Sequence, residues 1–141
     1  MTLLLIRHAS AGDREAWVGD DRLRPLDERG WRQAGGLVAT LAPYAVTSVL
    51  TSPYVRCAQT VLPLAAAREL AAQECEELAE GSGDAVLRLL PALAPGTALC
   101  THADVIETVV GAGRAKKKGS VWLLDLRDGA TEPVTYLPPP A

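Results

Sequence analysis

The sequence contains no phenylalanine, two histidines and three cysteines, and aromatic residues make up 4% of its 141 positions. The odd number of cysteines, without C-x-x-C spacing, argues against a disulfide framework or a zinc ribbon. No apolar run approaches the roughly 20 residues that are needed to span a bilayer. We therefore expect a reducing, cytoplasmic setting and a core built mainly from leucine, valine and alanine.

The N-terminal segment lacks the features of a secretory signal. "MTLLLIRH" has no basic residue before its apolar run and no small-residue cleavage site after it, which indicates a first strand. The net charge of −3 at pH 7 disfavours a general nucleic-acid binder. With 48% hydrophobic and 22% charged residues, the composition is typical of a globular domain. We expect neither a nucleic-acid nor a membrane partner.

Strand-like apolar runs alternate with helical patterns along the chain. Strands are predicted at 2–6 and 46–52, a turn and a third strand at 95–101, and a C-terminal hairpin around "RDGA". Helices are predicted from the N-cap Asp27 to Pro43, at 54–70 with a kink or break at Pro63, from a cap at Asp84 or Ser82 to Leu93, and at 105–110. This order predicts an α/β domain over 1–137, a three-layer α/β/α sandwich with a mostly parallel central sheet. A flexible proline-rich tail is expected at 138–141.

Reactive side chains follow three of the predicted strands. "LIRHAS", "VLTSPYVR" and "ALCTHAD" supply Arg7, His8, Arg56 and His102. The carboxyl ends of parallel strands meet at one edge, where ligands bind. Guanidinium groups bind phosphate through paired hydrogen bonds, and a neutral imidazole is a nucleophile at phosphorus. The pattern predicts an oxyanion site for phosphoryl transfer through a phosphohistidine intermediate. A metal site is disfavoured, because neither histidine has a second ligand at close spacing.

Three blocks of the chain resemble the histidine phosphatase (phosphoglycerate-mutase-like) superfamily. The blocks are "RHA" at 7–9 for its Arg-His-Gly, "TSPYVRCAQT" at 51–60 for its Ser-Ser-Pro-x-x-Arg-x-x-Gln-Thr, and "THA" at 101–103 for its second histidine. The resemblance implies that His8 accepts the phosphoryl group while Arg7, Arg56 and His102 hold its oxygens. It implies no metal and no organic cofactor.

The short chain is most similar to the small SixA-type phosphohistidine phosphatases. They share an Arg-Pro-Leu segment, here at 24–26, and a Glu-Leu…Gly-Asp segment, here at 77–84. The resemblance implies a phosphohistidine protein as substrate and makes Arg24 a further candidate phosphate ligand. A small phosphate ester or a nucleotide polyphosphate is the alternative substrate, since similar domains occur fused to Nudix hydrolases. The alternative of another class is a non-catalytic module that recognises phosphorylated partners.

Cleavage of an alkyl phosphate requires a proton for the leaving oxygen. Glu77 is the predicted general acid, because related enzymes often carry an acid in this loop, and Glu80 and Asp13 are the alternatives. A phosphohistidine substrate tolerates a weak acid, because imidazole leaves more easily than an alcohol. Two departures from the family pattern are Ala9, whose methyl group could restrict the backbone, and Asp104, expected as an acid of a helix N-terminus.

Two further segments have no assigned role. "RAKKKGS" at 114–120 is expected to be a solvated basic loop, with guidance of an anionic substrate as the alternative. Trp17 lies in a polar loop, where it is a candidate lid or partner contact.

Overall fold

The computed structural model describes residues 2–140, which form a six-stranded sheet and four α-helices. The strands are β1 (Thr2–Arg7), β2 (Ser48–Thr51), β3 (Ala72–Glu74), β4 (Thr97–Thr101), β5 (Val121–Arg127) and β6 (Ala130–Leu137). The helices are α1 (Glu28–Thr40), α2 (Val55–Ala67), α3 (Ala85–Leu89) and α4 (Ala103–Val110), with short 3-10 turns at Asp21–Leu23, Glu76–Leu78 and Leu90–Ala92. Within this range, no helix combines the length and apolarity of a membrane span.

The sheet has the order β3-β2-β4-β1-β5-β6. The first four strands in this order are parallel to one another, and β5 runs antiparallel to both β1 and β6. The mostly parallel sheet and the C-terminal hairpin are therefore confirmed. The hairpin turns at Asp128 and Gly129, whose φ values of 52° and 79° suit a two-residue turn. Strand β3 was not predicted, since its sequence "AQE" contains no apolar run.

Two apolar layers enclose the sheet, which confirms the three-layer arrangement. Leu4 and Ile6 of β1 pack beneath α1 and α2, whereas Leu3 and Leu5 pack on the other face, beneath α3 and α4. Burial on both faces explains why "LLLI" is a continuous apolar run. Each of these side chains contributes about 2 kcal/mol of hydrophobic stabilisation. The strand is thereby held firmly just before His8.

Helix α1 is tied to the loop that follows His8. As predicted, Asp27 caps the helix, with Oδ1 accepting the Gly30 N–H at 2.7 Å. Its Oδ2 accepts hydrogen bonds from Ser10 Oγ at 2.8 Å and from the Gly12 N–H at 3.0 Å. A Cβ at position 30 would overlap the Ser10 carbonyl oxygen, so this close approach requires glycine.

Two helices differ from their predicted extents. Helix α2 runs through Pro63 without a break and ends at Ala67, because the chain turns at Glu69 with a φ of 56°. The segment expected as one helix from 84 to 93 divides into α3 and a 3-10 turn. Pro91 lies in that turn and has no N–H to continue an α-helix.

The proline-rich tail lies against α1 as far as Pro140. Pro139 and Pro140 are half-buried, and the Pro140 side chain lies beside Gly36. The flexibility expected for 138–141 stays a prediction, and Ala141 lies outside the described residues.

Candidate active site

The two histidines meet because β1 and β4 are parallel neighbours. Arg7 at the end of β1 is paired in register with Thr101 at the end of β4. His8 and His102 follow these residues directly, and the His8 N–H donates to the Thr101 carbonyl at 3.0 Å. The two ring centroids lie 5.4 Å apart. Arg56 approaches from the first turn of α2, just beyond β2.

His8 is held as a neutral imidazole with a free lone pair. Its side chain is buried, and its Nδ1 lies 2.9 Å from the Ala9 carbonyl oxygen. Because a carbonyl only accepts, we assign the proton to Nδ1 and the lone pair to Nε2. Burial lowers the pKa of His8 well below 6.5; the bond to Ala9 opposes this shift, and electrostatic interaction with His102, Arg56 and Arg7 adds to it. His8 Nε2 is therefore a candidate nucleophile.

His102 is oriented as a hydrogen-bond donor. Its Nε2 lies 2.8 Å from Ser52 Oγ, which also accepts the Tyr54 N–H at 3.2 Å. The Ser52 hydroxyl can thus donate to Nε2 of a neutral ring, leaving the proton on Nδ1. Cys57 Sγ lies 3.5 Å from the same Nε2. With Nε2 accepting from Ser52, Nδ1 bears the hydrogen and is the donor.

Arg56 is fully buried behind the histidines. Its Nη1 donates to the Asp21 carbonyl at 2.9 Å, and its Nη2 forms ion pairs with Asp21 Oδ2 at 3.1 Å and Glu80 Oε2 at 3.6 Å. The Tyr54 ring covers the guanidinium, with its centroid 4.8 Å from Cζ. Burial and these contacts fix the orientation of the guanidinium.

Unpartnered donors are concentrated at this edge of the sheet. Within residues 2–140, the buried side-chain nitrogens and oxygens that lack a hydrogen-bond partner are Arg7 Nε, Arg56 Nε, Arg56 Nη2 and His102 Nδ1. Nη2 of Arg56 belongs to this group because its ion pair with Asp21 lacks hydrogen-bond alignment. A buried donor without an acceptor costs about 1–3 kcal/mol. Two of these donors, Arg7 Nε and His102 Nδ1, belong to side chains that line the cavity beside the two histidines, where an oxyanion would supply the missing acceptor.

A cavity of about 330 Å³ opens beside the two histidines. Its lining consists of Arg7, His8, Gly12, Arg14, Arg24, Glu80, His102, Ala103 and Lys118. Four cationic side chains therefore face one carboxylate. We name this space the catalytic cavity. Arg56 does not line it, and no group of three His, Cys, Asp or Glu that could hold a metal ion occurs in residues 2–140.

The carboxylate of this cavity is Glu80, not the predicted Glu77. Glu80 is half-buried and forms ion pairs with Arg14 at 2.6 Å and with Arg56 at 3.6 Å. Glu77 is exposed and contacts Cys75 Sγ at 3.3 Å. The 3-10 turn that buries its neighbour Leu78 leaves Glu77 in solvent.

The other alternative acid and Asp104 also lie outside this cavity. Asp13 is exposed, borders a separate cavity and accepts the Glu15 N–H. Asp104 is an acid of the first turn of α4, as expected. Its Oδ2 accepts the Gly81 N–H at 2.8 Å, which fastens the loop carrying Glu80 to that helix.

Arg24, a candidate phosphate ligand by the SixA-type resemblance, lines the catalytic cavity. It is buried, donating from Nη1 to the Ala11 carbonyl at 2.5 Å and from Nε to Asp21 Oδ1 at 2.9 Å. Burial raises the pKa of Asp21, but the hydrogen bond from Arg24 and the charges of Arg56 and Arg14 outweigh it and lower that pKa. Ionised Asp21 thus links two of the predicted phosphate-binding arginines.

Ala9 fits the place that glycine takes in the family pattern. Its φ is not in the left-handed region, which among non-glycine residues of the described chain is taken by Glu69 and Asp128. The Ala9 N–H donates to Thr60 Oγ1 at 2.9 Å, and the Thr60 hydroxyl donates to the Arg56 carbonyl at 2.6 Å. The methyl group therefore requires no strained backbone beside His8.

Arg14 and Lys118 line the cavity although the sequence did not identify them as site residues. Lys118 belongs to the basic segment 114–120, whose charge was the available signal. Arg14 lies in a polar loop without any motif, and its position depends on the tertiary path of that loop.

The family model of the histidine phosphatase superfamily (branch 1) matches residues 3–86. The chain belongs to this superfamily. The match contains His8, Arg24, Arg56 and Glu80, whereas His102 lies beyond it. The chain is also 37% identical to an 8-oxo-(d)GTP phosphatase of Mycolicibacterium smegmatis, over 99% of its own length. It spans about half of that relative (48%).

Solved structures of the superfamily share the fold. The protein histidine phosphatase SixA complexed with tungstate superposes with a TM-score of 0.79 at 19% identity, covering 97% of this chain and 96% of that one. A Nakamurella multipartitia protein assigned as a phosphohistidine phosphatase SixA gives a TM-score of 0.74 at 28% identity, covering 99% and 96%. The predicted phosphoglycerate-mutase-like fold is confirmed.

Proposed function

We propose that this chain is a phosphatase in which His8 receives the phosphoryl group of the substrate and water then removes it. The single observation that carries the proposal is the set of four unpartnered donors on Arg7, Arg56 and His102. Arg7 and His102 line the cavity beside His8, and Arg56 lies behind them. Donors that await developing negative charge stabilise the transition state without reorganisation.

The reaction proceeds in two steps that exchange one bond each. In the first, His8 Nε2 forms a bond to phosphorus as the bond between phosphorus and the leaving group breaks. In the second, a water oxygen bonds to phosphorus as the phosphorus–nitrogen bond breaks, which gives inorganic phosphate and neutral His8. Arg7, Arg56 and His102 donate hydrogen bonds to the equatorial oxygens in both steps.

Glu80 has the position of the proton-transfer group. Its carboxylate lines the catalytic cavity and is oriented by ion pairs with Arg14 and Arg56, a position from which it can accept a proton from the attacking water. Glu80 therefore serves as the general base for the attacking water in the second step. The first step then favours leaving groups that depart without a strong acid, such as imidazole or a phosphate anion.

Two substrate classes meet this requirement. A phosphohistidine protein is the first candidate, supported by the SixA-type segments at 24–26 and 77–84. A nucleotide polyphosphate is the second, and the 37% identity to an 8-oxo-(d)GTP phosphatase favours it. The three cysteines are free thiols, consistent with the cytoplasm as the expected compartment.

Rapid-quench trapping with radiolabelled substrates tests the proposal. We expect acid-labile, base-stable label on the wild-type protein and none on the His8→Ala variant. Label from a phosphohistidine protein would support the first substrate, and label from a terminally labelled nucleoside triphosphate alone would support the second. Absence of label from both, with an aryl phosphate also uncleaved, would contradict a phosphatase and leave a phosphate-recognition module.

A further inference from the structure

A second cavity of about 400 Å³ adjoins the catalytic cavity. Its lining consists of Arg7, Ser10, Arg29, Gln33, Lys117, Lys118 and Pro139. We name it the basic annex. It shares Arg7 and Lys118 with the catalytic cavity, so the same two cations border both spaces. Four of its lining side chains are cationic and none is acidic.

The protein balances the charges of the basic annex only in part. Arg29, Lys117 and Lys118 form no ion pair with any other residue in 2–140. Burial lowers the pKa of Lys118 and the positive charges of Arg7 and Arg24 lower it further, whereas the carboxylate of Asp27 opposes the shift. Like charges held together in a concave site create a positive potential that attracts an anion.

The basic segment 114–120 is hydrogen-bonded to the end of β1. Arg7 Nη1 donates to the Lys116 carbonyl at 2.8 Å. The Gly119 N–H lies 3.1 Å from the Arg7 carbonyl oxygen and 3.2 Å from that of His8. Lys117 and Lys118 are exposed, as expected for a solvated basic loop, but the hydrogen bonds at Lys116 and Gly119 fix their backbone beside β1.

The opposite wall of the annex is also fixed. Gln33 is buried, and its Oε1 accepts the Ser10 N–H at 2.9 Å. Arg29 lies on the same helix, α1, one turn before Gln33, next to the Asp27 cap. The annex thus joins two rigid walls, one on α1 and one on the segment tied to β1.

We propose that the basic annex binds a second phosphoryl group of the substrate, so that this phosphatase prefers phosphoanhydrides to phosphomonoesters. The inference rests on the proposed function, because it takes His8 as the acceptor of the first phosphoryl group. Arg7 and Lys118 border both spaces and can contact two adjacent phosphates at once. Planar guanidinium groups suit the paired oxygens of phosphate.

Binding to the His8→Ala protein tests the annex independently of catalysis. We expect calorimetry to show that inorganic pyrophosphate binds about tenfold more tightly than inorganic phosphate. Arg29→Ala should reduce this advantage about fivefold, since it removes one charged donor. Arg32→Ala is the matched control on the same helix, because Arg32 pairs with Glu28 and does not line the annex. Equal affinities for the two anions, or equal effects of the two variants, would overturn the proposal.

Steady-state kinetics separate the annex from the proposed function. Failure to cleave phenyl phosphate and pyrophosphate alike would contradict the proposed function, whereas the calorimetry would still decide the annex. With activity present, Arg29→Ala should raise the KM for pyrophosphate about fivefold and raise that for phenyl phosphate much less.

A phosphohistidine peptide flanked by glutamates is the third substrate, and it tests whether the annex recognises acidic side chains instead. If Arg29→Ala raised the KM for that peptide but not for pyrophosphate, the annex would recognise acidic peptides and the proposal would be wrong.

Discussion

The catalytic cavity has a floor and a rim that are built differently. The floor consists of Arg7, His8 and His102 with Arg56 behind them, all placed at or just after buried parallel strands. The rim consists of Arg14, Glu80 and Lys118, all placed on loops. Backbone register and buried hydrogen bonds hold the floor, whereas ion pairs hold much of the rim, and exposed ion pairs contribute only about 0–1 kcal/mol each. The floor therefore sets the chemistry, and the rim adjusts the choice of substrate and proton transfer.

Removal of a floor cation should have the largest effect. We expect Arg56→Ala to lower kcat/KM for phenyl phosphate about 1000-fold, because two donors to the phosphoryl group disappear. It should also lower the free energy of unfolding in urea, since Asp21 and Glu80 lose their buried partner. Arg56→Lys keeps the charge but not the planar fork, and should recover only part of the activity. Full recovery by lysine would show that a positive charge at position 56 is sufficient, and would contradict the view that the floor acts through precisely oriented donors.

The rim carboxylate should produce a smaller and step-specific effect. Glu80→Gln should slow release of phosphate from His8 about 100-fold and make the labelled phosphoenzyme accumulate. Glu77→Gln is the matched control three residues away, and we expect its label and turnover to equal those of the wild type. Quench-flow measurement of both steps distinguishes the two carboxylates. An equal loss in the two variants would contradict the placement of the base at Glu80.

The contrast between floor and rim also explains what could be predicted from the sequence. His8 and His102 were predicted because each follows an apolar run, and the parallel pairing of those runs brings their ends together. Glu77 and Glu80 could not be separated, because both are polar residues of one loop and a single 3-10 turn decides which faces the cavity. Lys118 was missed for a related reason, since only the anchors at Arg7 and His8 turn its segment toward the site.

Within the floor, the hydroxyl that orients His102 should matter less than the donors themselves. Ser52→Ala should lower kcat about tenfold, because Nε2 loses its partner and the ring can release the proton on Nδ1. Ser52→Thr keeps the hydroxyl and should retain more activity. Nitrogen chemical shifts of the His102 ring report the tautomer directly. An unchanged tautomer in the alanine variant would rule out this positioning role for Ser52.

The smallest effect should be a displacement of the acid limb of the pH profile. Nucleophilic attack requires neutral His8, and its pKa is lowered well below 6.5, first by burial and then by the nearby positive charges. The kcat/KM of the wild type should therefore persist as the pH falls through 6.5, and Arg56→Ala should move the acid limb to higher pH by removing one of those charges.

The lowered pKa of His8 also affects stability. Between the folded pKa and 6.5 the unfolded chain binds more protons, so the free energy of unfolding should decrease as the pH falls through this window. His8→Ala removes that dependence, and urea unfolding from pH 7 to pH 5 should show a shallower decline in the variant than in the wild type; parallel declines would mean that the floor does not depress the pKa of His8.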